Sequence, residues 1–155
     1  MADPTVEAAA EILRTALSDL RGAVEGMSAD ELNRRPAGED TNSIAVLATH
    51  SMHSTRAWLN VAVGTEPPAR DRPAEFRAVA SNDELISLLD EMGTECVALL
   101  DGATFDPDRK GIAPWREGRL AEEPVSAAWA LILALVHLRE HVAHAQLTRQ
   151  LLGTS

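Results

Sequence analysis

The chain has 155 residues, 24 of them Asp or Glu and 14 Lys or Arg, for a net charge of −10, with Lys110 as the only lysine. A chain this acidic repels nucleic acid and anionic membranes unless its arginines gather in a basic patch, and none is visible, so neither partner is expected. The single cysteine, Cys96, excludes an intramolecular disulfide framework and a cysteine-based zinc knuckle, which leaves histidine and carboxylate as the candidate metal ligands.

The opening stretch "MADPTVEAAAEIL" carries acidic residues where an export signal needs positive ones, and no apolar run approaches the ~20 residues needed to cross a bilayer. A cytoplasmic location is expected. The first amphipathic helix is predicted from Val6, Ala10, Leu13, Leu17, Leu20 and Val24, opening near Asp3-Pro4 and fading after Gly26. A second follows the capping residues Thr41, Asn42 and Ser43, carries Ile44, Leu47, His50, Trp58 and Val61 on its apolar stripe, and ends at Gly64. His50 is therefore expected to face inward.

The third helix is predicted from Leu85, Leu88, Leu89, Met92, Cys96 and Leu99, starting after "SND" and stopping at Gly102. The fourth runs from near Pro124 to Gly153, and its segment "WALILALV" is apolar on every side, which predicts a central, well-covered helix. Strand signals are nearly absent. The expectation is one all-α domain over 1–155, a four-helix bundle with long connections at 27–42, 65–80 and 103–124. Such connections can run the height of a bundle, so neighbouring helices need not be antiparallel. In the last connection Trp115, among charges, is a candidate lip residue or an ordinary half-buried tryptophan.

All five histidines fall in two short runs, "LATHSMHS" with His50 and His53, and "HLREHVAHAQ" with His137, His141 and His144. Residues four apart on a helix project side by side, so His137 and His141 can chelate one ion. His50, on the inward stripe of another helix, is the natural third ligand, and three imidazoles leave a position open for water or substrate. A single histidine on an apolar face is more often a hydrogen-bonded core residue; the pair, with His50 on a second stripe and no histidine elsewhere, favours a metal site. His53, about 60° off the face of His50, is a flanking or outer residue. His144 could orient a ligand or carry a proton.

"HLREH" also matches the H-x-x-E-H zinc signature, in which Glu140 would be the general base. Little chain follows His141 to supply the remaining parts of such a peptidase, so the match is read as coincidence and Glu140 as solvated or ion-paired, with Arg139 or Arg149 nearby. Paired Glu-x-x-His motifs, phosphate-cradling glycine motifs and the G-x-S-x-G elbow are absent. Cys96, on a core stripe, is expected to be inert packing.

With "TNSIAVLATH" leading into His50, the H-x-x-x-H of His137 and His141, and "HAQLTRQLLG" closing the last helix, the chain resembles the DinB/YfiT-like family of metal-binding four-helix bundles. The resemblance implies an up-down-down-up bundle, a homodimer, and a divalent ion such as zinc or nickel held by His50, His137 and His141. The family commonly has Gln three residues after the last ligand, where this chain has His144, and a register pairing His141 with His144 stays open. The resemblance further implies transfer of a low-molecular-weight thiol to a small-molecule electrophile. The excess of Arg over Lys with abundant Ala suggests a GC-rich bacterial genome and tilts that thiol toward mycothiol. The alternatives are a small hydrolase using metal-bound water and a non-catalytic ligand-binding bundle.

Overall fold

Six α-helices, two short 3-10 helices and a ribbon of two two-residue strands make up the structure, a computed structural model that describes residues 3–153. Helix α1 (Pro4–Val24) starts where the Asp3 carboxylate accepts from the Thr5 and Val6 amides, with proline in the first turn, where its missing N–H costs nothing. Short α2 (Ala29–Asn33) opens with a Ser28/Glu31 capping box. The Ser43 hydroxyl caps α3 (Ile44–Val63), which ends at Gly64 with φ +79°, a left-handed conformation that glycine adopts without penalty. A Cβ at Gly64 would also land 2.6 Å from the Arg109 guanidinium carbon.

One-turn α4 (Arg72–Glu75) is capped by Asp71, whose carboxylate accepts from the Ala74 amide, with Pro73 in its first turn. A second capping box, Ser81/Glu84, starts α5 (Asn82–Leu100), and the Ser126 hydroxyl starts α6 (Ala127–Leu151). The last connection is pinned by pairing of β1 (Lys110–Gly111) with β2 (Val125–Ser126), antiparallel, with Lys110 opposite Ser126.

The long helices α1, α3, α5 and α6 form the bundle. Each of α1 and α3 packs against both α5 and α6. Directions follow from the cross-helix contacts. Arg14 with Asp101 and Arg21 with Asp90 set α1 antiparallel to α5. Arg139 with Asp19, and Arg149 donating to the carbonyls of Gly22, Ala23 and Glu25, set α1 parallel to α6 and cover the orphan carbonyls at the end of α1. Arg56 with Glu95 crosses from α3 to α5, and the floor residues shared by the two helices rise together, His53 beside Leu88 and Asn60 beside Leu99, so these helices run parallel. His50 against His137 and Trp58 against Trp129 make α3 and α6 antiparallel. The topology is up-down-down-up, as the resemblance implied.

The core is built of Leu13, Leu20, Leu47, Met52, Leu59, Leu85, Leu100 and Leu138 and their neighbours, all nearly inaccessible. One expectation is corrected here. The well-covered helix is α3, buried on almost every side, because α5 and α6 flank it and α2 and α4 pack on it as well. On α6 the "WALILALV" segment leaves Trp129, Ile132 and Val136 at 44%, 62% and 48% exposure, with the Arg116 guanidinium 5.6 Å over the Trp129 ring. No described helix is long and apolar enough to cross a membrane.

Candidate metal centre

The centre lies between α3 and α6, at the level where the antiparallel helices bring residue 50 beside residues 137 and 141. His50 projects from the buried stripe of α3 and is 5% exposed, while His137 and His141 are half-buried, one turn apart on α6. The His50 ring centroid lies 5.2 Å from that of His137 and 5.1 Å from that of His141, and the α6 pair is 4.4 Å apart, all three nearly edge-on. One nitrogen from each ring falls within 4.8 Å of the other two, a cluster capable of coordinating a divalent metal.

The fit to an ion can be tested on the nitrogens. Nε2 of His137 and Nε2 of His141 are 3.1 Å apart. Two ligands about 2.05 Å from one ion and so separated subtend roughly 98°, near the tetrahedral angle. The same separation also suits a hydrogen bond between the rings, and it is the third ring, from another helix, that makes a chelating set. Their Nδ1 atoms are buried and have no hydrogen-bond partner among the described residues, so Nε2 is the atom each ring offers to the shared space.

Ligand histidines must be uncharged. Burial, then repulsion from His50, Arg70 and Arg72, holds His137 down at about 4 against the pull of Glu75. Burial, then His137, His50 and His144, holds His141 at about 4 as well. At neutral pH both rings therefore keep a lone pair.

His50 is held differently. Its Nδ1 lies 2.8 Å from Oε2 of Glu75, and Arg70 grips the same carboxylate twice, Nε to Oε1 at 3.0 Å and Nη2 to Oε2 at 2.7 Å. All three side chains are under 10% exposed. Burial pushes the Glu75 carboxyl up, but the hydrogen bonds from His50 and Arg70 and the Arg70 charge outweigh it and hold it down to about 2. An ionised carboxylate only accepts, so Nδ1 of His50 carries the proton, and an uncharged ring then has its lone pair at Nε2. Phe76, at a ring distance of 4.5 Å, covers His50, and Arg35 secures that segment by donating to the Phe76 carbonyl at 3.1 Å.

The Arg70 guanidinium also lies 5.6 Å over the Trp115 ring, which stands edge-on to Trp58 at 5.0 Å, so Trp115 is a half-buried packing residue that backs the ion pair. The other expected site residues are not part of the three-ring cluster. His53 is half-buried in a groove between α3 and α5 with Leu88, Glu91 and Met92, and burial lowers its pKa first of all. His144 and Glu140 are exposed on α6, and Arg139 pairs with Asp19 at 2.6 Å.

Sequence reasoning missed Arg70, Glu75 and Phe76. The Asp71 cap with Pro73 is a legible helix start within "EPPARDRPAEF". That Glu75 is buried, however, depends on where the connection docks.

Comparison with known proteins bears on the family and the fold. A model of the DinB superfamily matches residues 12–145. The fold is similar to that of a conserved protein from Enterococcus faecalis, with TM-score 0.73 and 18% identity over 97% of this chain and 98% of that one. It is also similar to YfiT from Bacillus subtilis, described as a probable metal-dependent hydrolase with an unusual four-helix bundle topology, with TM-score 0.74 and 19% identity over 100% of this chain and 91% of that one. At these identities the likeness speaks for the fold. No curated protein matches the chain.

Proposed function

The chain belongs to the DinB superfamily, and from that membership we propose that it is a metal-dependent hydrolase of a small molecule, with His50, His137 and His141 as the ligands of a divalent ion such as zinc or nickel. The observation that carries the reading is the convergence of three imidazoles from two helices with an uncharged pair among them. When bound, an ion in such a set supplies Lewis acidity and brings the pKa of a water in its open position toward neutrality.

The chain's own residues complete the site. Imidazole is a neutral donor, so three such ligands would leave the charge of the ion unneutralised. Glu75 balances Arg70, which keeps that guanidinium from repelling a cation at close range. Phe76 covers one side of His50, while the rings of His137 and His141 are only half-buried.

The thiol-transfer reading rests on the family resemblance alone, whereas the hydrolytic one is also supported by the fold shared with YfiT. Protein stripped with chelator and reloaded with zinc or nickel would be assayed on a panel of esters, amides and other electrophiles, each with and without mycothiol or bacillithiol. Turnover that needs the ion and no thiol supports hydrolysis. Turnover only with thiol would replace it by S-transfer, and none in either arm would leave a binding role.

A further inference from the structure

We infer that Glu75 is a positioning residue that, locked by Arg70, fixes the tautomer and orientation of His50, and that the connection at 65–80 thereby sets the affinity of the centre for its ion. The inference rests on the hydrolase reading only for the presence of the ion. Among the described residues, His50 is the one ring of the three whose outer nitrogen is held; the Nδ1 atoms of His137 and His141 have no partner. Histidine ligands ordinarily donate their second N–H to an acceptor that orients the ring, and loss of that acceptor typically costs about 10–100-fold in metal affinity. Here the whole of that support falls on one carboxylate.

The carboxylate is itself rigidly placed. Arg70 meets it with two parallel hydrogen bonds, a fork that fixes the plane as well as the position of the acceptor. Arg70 is 2% exposed and stacked over Trp115, while the capped turn of α4 presents Glu75 and Phe76 to the same ring of His50. The chain of contacts Trp115–Arg70–Glu75–His50 thus joins two connections to one ligand. A pair buried this deeply is a poor device for stability alone, because apolar residues of similar volume commonly serve as well. Its use is in orienting the imidazole.

Two readouts test this, and the first, the tautomer, is one that a merely structural role would not move. Long-range proton–nitrogen NMR of the metal-free protein reports the tautomer of His50, and competition with a chromogenic chelator reports zinc affinity. The variants are Glu75→Gln, and Arg70→Met with Glu75→Leu, which removes the pair together and strands no buried charge. The wild type should show His50 protonated at Nδ1. The double variant should shift toward the Nε2-protonated form and bind zinc about 10–100-fold more weakly, with Glu75→Gln between the two. Should the double variant fail to fold by circular dichroism, Glu75→Gln alone decides by the same readouts. An unchanged tautomer with unchanged affinity would overturn the inference. If the wild type binds neither zinc nor nickel, the hydrolase reading fails, and the tautomer shift still decides the role of Glu75.

Discussion

Nε2 of His137 and Nε2 of His141 lie 3.1 Å apart, one turn along α6. Two imidazoles that close, both buried enough to be uncharged at neutral pH, are able to share one ion. Helix α3 supplies that group because it runs antiparallel to α6 and carries His50 on its inward stripe.

An ion that binds the folded chain and not the unfolded one stabilises it by mass action, about 2.7 kcal/mol at one hundred times the dissociation constant. For a chain of this size that raises Tm by roughly 5–10 °C. Thermal melts of chelator-stripped protein with and without zinc should show this rise in the wild type and lose most of it in His137→Ala and His141→Ala. A rise of equal size in those variants would place the ion elsewhere.

Leu138 and Ile132 lie on the same helix in opposite surroundings, the first at 0% exposure and the second at 62%. Leu138→Ala should cost about 2–5 kcal/mol in urea denaturation, through lost burial and the cavity it leaves. Ile132→Ser should stay within about 0.5 kcal/mol, since isoleucine and serine have similar helix propensity and Ile132 is 62% exposed. A large loss from Ile132→Ser would mean that the outer face of α6 is covered in solution.

Cys96 is 0% exposed, and burial first of all pushes its thiol up to about 12. Native protein at pH 8 should not react with iodoacetamide, and denatured protein should react fully. The shift also has a sign for stability. A raised folded-state pKa favours the protonated native form, so this contribution is complete below the ordinary thiol value of 9.0 and is lost as pH rises toward about 12. Cys96→Ala should flatten the fall in stability over that alkaline range; an equally steep fall in the variant would exclude the thiol as its source.

The sequence carried the bundle and the clustered histidines, for reasons visible in particular residues. Ser43, Ser81 and Gly64 mark helix ends by local hydrogen bonding, and the i, i+4 spacing of His137 and His141 needs nothing beyond helix geometry. Burial was less legible. Helix α3, dotted with Ser, Thr, His and Asn, is the covered one, and the more apolar start of α6 keeps an exposed face. Covering depends on which neighbours dock, a tertiary property that hydropathy along one helix does not contain. Glu75 was hidden for the same reason. Arg70 and His50 come to it from five and twenty-five residues away, and only the docked connection brings all three together.

Metal content most directly tests whether these three imidazoles form a metal centre. Protein stripped with chelator, reloaded with zinc or nickel and freed of excess ion would be analysed by plasma mass spectrometry. One ion per wild-type chain, with essentially none retained by His50→Ala or His137→Ala, is the predicted result. A wild type that holds no stoichiometric ion, or variants that hold as much as the wild type, would contradict it.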